Sequence, residues 1–463
     1  MSAVKFIVDG VTRVPSIERA QLLLDNEPRH AGSSVELFAG GGGMALGIHD
    51  AGFRHLAVSE LEGRACLTLL ANGATLSDQE GDDTPSVPAR RTGSLAADWP
   101  LFPGDCHDKD WSRWRGEADL LAGGPPCQPW SLGGVHRGMA DERNLFHEAA
   151  RALDEIRPRA FFFENVRGLS RPTFRPYFDY IMRSLSAPHL GRRNAEGWEH
   201  HMRRLRRHGS KVPPEESYRV SWDLVNAADY GVPQQRWRVL IVGFRADLDV
   251  DWEFPPPTHS ADALLWSQMT GTYWEEYGIE PRPPKASASR LRRLARDVEP
   301  SAARWRTVRD AVHGLPEPAE ERETDGIYDH RGVPGARLYH GHNGSDVDWP
   351  SKSIKAGVHG VPGGEHIVVR PDGSYRYMTI RECARMQGFP DGYRFEGPRT
   401  EAMRQIGNAV PVLLARQIAS VIADKLSPPL HALTDQAASR PGSHLADDGG
   451  RSTQGLEAGD DAS

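Results

Sequence analysis

Four consecutive glycines between an apolar strand and an apolar helix start restrict this chain more than any other feature. Ser34-Val35-Glu36-Leu37-Phe38 reads as a strand, Ala39-Gly40-Gly41-Gly42-Gly43 as a turn, and Met44-Ala45-Leu46-Gly47-Ile48 as the opening of a helix. Strand, glycine turn and helix make the first unit of a nucleotide-binding α/β domain, in which glycines let backbone N–H groups approach a ligand at the helix N-terminus. The next strand, Phe53–Ser59, ends in Glu60. An acidic residue about 20 positions after such a turn is placed for ribose hydroxyls. A plain tight turn followed by a solvated glutamate is the alternative at this point.

A second strand end carries the chemistry. Ala118-Asp119-Leu120-Leu121-Ala122 reads as a short buried strand that breaks into Gly123-Gly124-Pro125-Pro126-Cys127-Gln128. Two prolines stiffen the backbone before the sulfur, and two glycines admit close approach. A lone cysteine is ordinarily a small buried apolar residue. Its place on a Pro-Pro turn at a strand's carboxyl end, where α/β sheets bind ligands, points instead to a positioned nucleophile. Arg159–Phe163 is a further apolar strand, ending in Glu164-Asn165-Val166, so Glu164 is expected to emerge into the same cleft. Gly104-Asp105-Cys106 closes another strand. Asp141–Phe146 leads into a helix through Ile156.

Two more strands, Tyr218–Val225 and Arg238–Phe244, flank Gly231-Val232-Pro233-Gln234-Gln235-Arg236-Trp237-Arg238. Alternation puts Gln234, Arg236 and Arg238 on one face of an extended segment. Paired guanidinium donors there suit a base or a phosphate.

The four cysteines have no metal-ligand spacing, which predicts free thiols, a reducing compartment and no structural metal. No apolar run reads as a membrane span and no signal-peptide pattern opens the chain, so a cytoplasmic protein without a membrane partner is expected. The net charge of −7 argues weakly against a polyanion partner, although local patches decide such binding. One patch is residues 191–211, where seven basic side chains face Glu196 and Glu199. A solvated helix face and a phosphate contact both fit it. Another is 258–350, where Arg282, Lys285, Arg290, Arg292, Arg293, Arg296, Arg304, Arg306 and Arg309 interleave with Trp266, Tyr273, Trp274, Tyr277 and Trp305. Basic residues among aromatics fit nucleic-acid contact. Thr379–Pro390 reads as a capped helix stopped by Gly388. Gln405–Pro411 reads as a turn into a last helix through about Leu426. Beyond it six acids oppose two arginines in 431–463, and a disordered tail is expected.

Taken in order, these motifs resemble those of the bacterial cytosine carbon-5 DNA methyltransferases: Phe38-Ala39-Gly40-Gly41-Gly42, Pro125-Pro126-Cys127-Gln128, Glu164-Asn165-Val166, Gln234 with Arg236 and Arg238, Arg381–Pro390, and Gly407-Asn408-Ala409-Val410-Pro411. The likeness runs from about Val35 to Ile422. Trp130 stands where the family more often has Phe. The resemblance implies a Rossmann-like, S-adenosylmethionine-dependent domain over 33–257, completed by 400–427. It also implies a smaller, irregular target-recognition domain over 258–399, with an extension at 1–32 and a tail at 428–463 outside the shared core.

The same resemblance implies Cys127 as nucleophile, Glu164 as the acid at the cytosine ring, Asn165 as its support, Arg238 on the exocyclic oxygen and Arg236 as a brace. For the cofactor it implies Phe38, Gly40, Gly42, Glu60, Asp105, Pro126, Leu145 and Asn408, with Asp105 on the adenine amino group. Double-stranded DNA is the implied partner, with the target cytosine flipped from the duplex. A monomeric, nucleoid-associated enzyme working beside a cognate restriction endonuclease is expected. The competing readings are a transfer-RNA methyltransferase of the same fold and a non-catalytic DNA-binding relative.

Overall fold

The computed structural model describes residues 31–77, 99–126, 145–193, 196–320, 322–338, 340, 343–356 and 366–427. The sequence also suggests a short helix near Ile17–Leu24 and a surface loop over Ser77–Gly93; that helix, the loop beyond Ser77, Cys127 and the acidic tail lie outside these residues.

The glycine turn follows β1 (Gly32–Leu37) and opens α1 (Gly43–Asp50); β2 (Phe53–Glu60) and α2 (Gly63–Ala71) come next. Then follow β3 (Thr75–Leu76), β4 (Pro100–Pro103), β5 (Leu120–Gly123), α3 (Phe146–Ile156), β6 (Ala160–Val166) and α4 (Arg175–Ser186). After α5 (Trp198–His208) the chain forms β7 (Tyr218–Asn226), the short β8 (Gln234–Gln235) and β9 (Trp237–Arg245). One eight-stranded sheet results, in the order β3-β4-β2-β1-β5-β6-β9-β7. It is parallel from β3 through β6, and β9 runs antiparallel between β6 and β7.

Strands buried on both faces read as continuous apolar runs. In β6, Phe161 and Phe163 enter the core shared with α3 and α4, whereas Phe162 enters the core on the opposite face. That second core holds Met44 and Ile48 of α1 with Leu414 and Ile418 of α12 (Val412–Leu426). The final helix therefore returns beneath the first, and a Cβ on Gly47 would come within 2.6 Å of the Ala415 Cβ. The stretch 399–426 is apolar enough for a membrane span by length and composition, but its apolar window is 67% buried within the fold.

Residues 258–350 hold more regular structure than their sequence promised: α6 (Ala261–Thr270), α7 (Thr272–Tyr277), α8 (Ala288–Leu294) and α9 (Val308–Val312). Tyr273, Trp274 and Trp305 form a buried core with Leu264 and Ala228. Six of the nine interleaved basic residues are paired internally: Arg290 and Arg293 with Asp262, Arg304 with Asp310, Arg282 and Arg309 with Asp348, and Lys285 with Asp346. Much of the expected nucleic-acid pattern is thus spent on holding this region together.

Then come α10 (Ile380–Met386), capped reciprocally by Thr379 and Glu382, and α11 (Arg399–Asn408). Gln405–Asn408, read from sequence as a turn, is the last turn of α11. The 378–399 segment shares its core with β2, α2 and β4 through Met378, Phe389, Tyr393 and Phe395, so a boundary at 399 cuts through continuous packing.

Candidate active site

The glycine turn sits at the carboxyl edge of β1. Phe38, Gly40 and Gly42 all take positive φ, at 57°, 55° and 83°. The conformation is costly for Phe38, a non-glycine residue. Behind the turn space is tight: a Cβ on Gly42 would lie 2.4 Å from Tyr393 Oη, and one on Gly43 2.4 Å from the Val410 carbonyl. On Gly40 a Cβ would meet nothing within 4 Å among the described residues, so the turn's other side is open toward them. Tyr393 Oη donates to the Gly41 carbonyl at 2.8 Å and fixes the loop from below.

Glu60 closes β2 beside this turn. Its Oε2 accepts the Gly40 N–H at 2.6 Å and its Oε1 accepts the Glu62 N–H at 2.7 Å. Burial raises its pKa above the usual carboxylate value. Leu61, 65% exposed, follows directly. Glu36 was missed in the sequence. It is buried in β1 under the turn and bonded to the Ala45 backbone, and burial pushes its carboxyl well above the normal range. A lone acid inside an apolar strand was the available signal. Asp105 Oδ1 accepts both the backbone N–H of His107, at 3.0 Å, and its Nδ1, at 2.8 Å. Those bonds hold the Asp105 carboxyl below its ordinary pKa.

On the neighbouring strands the second group assembles. Gly123 must be a glycine, because a Cβ there would lie 2.5 Å from the Leu37 carbonyl of β1. Asn165 Nδ2 donates to the Pro125 carbonyl at 2.9 Å, and Asn165 Oδ1 accepts the Val166 N–H at 2.9 Å. Leu145 N–H donates to the Pro126 carbonyl at 3.1 Å, so the residues bracketing 127–144 are tied together. Cys127 itself lies outside the described residues. The other three thiols, Cys66, Cys106 and Cys383, are buried, and burial pushes each up to about 12. None of these three is a thiolate near neutrality.

Glu164 and Asn165 belong to β6 rather than following it. Glu164 is buried, with Oε2 3.8 Å from where a Gly124 Cβ would stand. Its Oε1 lies 2.6 Å from Arg238 Nε on β9. Arg238 Nη1 also donates to the Trp237 carbonyl at 2.8 Å, and burial lowers the Arg238 pKa against the pull of Glu164.

Arg236 and Gln234 depart from expectation. Both are buried, with no face toward a ligand. Arg236 donates to the carbonyls of Ile354 at 2.8 Å, Gly407 at 2.7 Å and Ala409 at 3.1 Å, and to Ser353 Oγ. Gln234 bonds Gln387 and the Ile354 N–H. Arg236 therefore cannot grip a base; it is a strut gripping the carbonyls on either side of Asn408. Asn408 is exposed at the end of α11. Of the basic 191–211 patch, α5 docks on α4 through Trp198, His201, Met202 and Leu205, and Arg204 is tied to Glu196. Arg203, Arg206 and Arg207 face solvent.

The C-5 cytosine-specific DNA methylase family model matches residues 32–188 and 210–424, leaving out most of the basic patch. The Type II methyltransferase M.PspPI of Psychrobacter sp. is 30% identical over 403 residues, covering 86% of this chain and 80% of the relative. The Type II methyltransferase M.NgoMIV of Neisseria gonorrhoeae is 30% identical over 393 residues, covering 83% of this chain and 95% of that protein.

Proposed function

The chain belongs to the C-5 cytosine-specific DNA methylase family, and from that premise we propose how its residues divide the work of methylating carbon 5 of cytosine in duplex DNA. The RNA-directed and non-catalytic readings are not favoured.

Cytosine carbon 5 is too poor a nucleophile to take a methyl group directly. A thiolate adding to carbon 6 makes carbon 5 enamine-like, which is what covalent catalysis supplies here. Cys127 is assigned that attack, and Glu164 holds the ring at nitrogen 3 as charge develops. Asn165 keeps the Pro125 turn in register with Glu164, and Arg238 orients the Glu164 carboxyl and faces the exocyclic oxygen. Once carbon 5 carries the methyl group, its proton passes to a base, the carbon 6–sulfur bond breaks with its electron pair on sulfur, and the Cys127 thiolate is released.

The open side of Gly40, the Glu60 carboxylate and the exposed Leu61 fit S-adenosylmethionine. When bound, S-adenosylmethionine supplies an electrophilic methyl group. Glu60 would take the ribose hydroxyls, Phe38 and Leu145 would flank the adenosyl group, and Asp105 would accept the adenine amino group. Gly40 and Gly42 leave room at the turn, and Pro126 and Asn408 complete the wall. A cognate restriction endonuclease acting on the same sequence is part of this proposal.

The observation that carries the assignment is the buried Glu164 carboxylate held against Gly124, three residues before Cys127. Bisulfite sequencing of DNA from cells expressing the protein tests it. Protected cytosines should fall in one short sequence and vanish with Cys127→Ala, while that variant still binds S-adenosylmethionine. Methylation retained by Cys127→Ala, or methyl label entering transfer RNA instead of duplex DNA, would overturn it.

A further inference from the structure

His107, in the short turn after β4, and His147 with Glu148, in the first turn of α3, converge at the surface beside Asp105. The Nε2 atoms of both histidines lie 3.6 Å from the same oxygen, Glu148 Oε1. The three ligand atoms lie within 4.8 Å of one another. Three bonds of about 2.0–2.2 Å in a tetrahedral arrangement need ligand atoms spaced at roughly 3.3–3.5 Å, so small side-chain movements suffice.

Two of the three ligands, His107 and Glu148, are held by further bonds. His107 Nδ1 lies 2.8 Å from Asp105 Oδ1, the acceptor of that bond, so Nε2 is the ring nitrogen that faces Glu148. A carboxylate behind a ligating imidazole is the usual outer support of a zinc histidine. Glu148 is 5% exposed, and its other oxygen is taken by Arg151 at 2.7 Å. Arg151 is held in turn by Glu155 and by the carbonyls of Cys106 and Lys109. Oε1 is thus a buried carboxylate oxygen aimed between two imidazoles that are 44% and 36% exposed, leaving an open side for a water ligand.

We infer that His107, His147 and Glu148 form a binding site for a zinc-class divalent cation. Asp105 links the site to the cofactor cleft. Resting on the reading that Asp105 meets the adenine amino group, occupancy makes the His107 N–H a stronger donor to the Asp105 carboxylate it already contacts, and so weakens cofactor binding.

The test is calorimetric titration of the untagged full chain with ZnCl2. One equivalent should bind, and both His107→Ala and His147→Ala should weaken that binding at least tenfold, with thermal unfolding of the metal-free variants unchanged. Stoichiometric binding that survives both substitutions, or no saturable binding to the wild type, overturns the site. In a second arm, zinc should weaken S-adenosylmethionine binding severalfold in the wild type and leave it unchanged in His147→Ala. Saturable zinc binding with unaltered cofactor affinity would overturn the coupling through Asp105 and leave the cation site standing.

Discussion

Arg238 and Glu164 face each other across the antiparallel β6–β9 pair, Nε to Oε1 at 2.6 Å, with both side chains withdrawn from solvent. A buried carboxylate held by a guanidinium can keep one oxygen for a ligand while the other is fixed. If Glu164 steadies the cytosine ring, Glu164→Gln should lower single-turnover methyl transfer by about 10²–10⁴-fold, the range for a positioned acid or base. S-adenosylmethionine affinity should move less than about threefold. Glu164→Ala should also cost stability, because Arg238 would be left as an unpaired buried charge. A Glu164→Gln enzyme with wild-type turnover would remove Glu164 from the mechanism.

Arg236 should behave differently from Arg238, although two positions separate them. Its guanidinium satisfies three main-chain carbonyls from two distant segments. Each buried acceptor left unpaired costs about 1–3 kcal/mol. The Ala409 carbonyl keeps its bond from Gln387 Nε2, so Arg236→Met, which strips the Ile354 and Gly407 carbonyls, should lose at least roughly 2 kcal/mol in urea unfolding. Lysine has no planar fork to span these carbonyls, and Arg236→Lys should rescue little. Cofactor affinity should fall as well, because the carbonyls flanking Asn408 lose their anchor.

This contrast marks how far the sequence could be read. The parallel strands were legible because burial on both faces writes a continuous apolar run, as in Phe161–Phe163. The glycine turn was legible because four adjacent glycines suit little else. Alternation put Arg236 and Arg238 on one face of an extended segment, but Arg238 meets Glu164 on the neighbouring strand, whereas Arg236 bonds carbonyls more than 100 positions away. The same holds for Trp274 and Trp305: mixed with arginines they read as surface, yet Asp262, Asp310 and Asp348 neutralise those arginines and the rings form a core. His107 and His147 carry no local spacing signal, since the fold rather than the chain brings them together.

Glu60 serves two neighbours, and its variants should separate them. Oε2 holds the Gly40 N–H, and the remaining acceptor capacity of the carboxylate is what a ribose would use. Glu60→Gln keeps an oxygen for the turn but loses the charge. Two charge-assisted hydrogen bonds at about 1.5–3 kcal/mol each set the scale, so Glu60→Ala should weaken S-adenosylmethionine binding by well over tenfold. Duplex binding, followed by fluorescence anisotropy without cofactor, should change little. Equal losses in both assays would show that Glu60 supports the fold rather than the ribose.

Acid sensitivity should come from His55, which lies under the glycine turn with 2% of its surface exposed. Nε2 donates to the Ala45 carbonyl and Nδ1 accepts from Ser34 Oγ, each at 3.0 Å, so both nitrogens are used by the neutral ring. Trp99 packs edge-on at 4.7 Å. Burial lowers the pKa to about 4. Above the unfolded value of about 6.5 neither state takes a proton and the full stability is present. As pH falls from there, the unfolded chain protonates first, and stability is lost until pH passes the folded value. Linkage over that interval gives a loss of about 2 kcal/mol by about pH 5, approaching roughly 3 kcal/mol below pH 4. Urea unfolding of wild type and His55→Gln at about pH 7.5, 6 and 5 isolates this contribution, since every other group titrates in both proteins. The difference between the two should shrink as pH falls. A difference that stays constant across the series would mean that His55 takes up its proton as readily in the native state as in the unfolded chain.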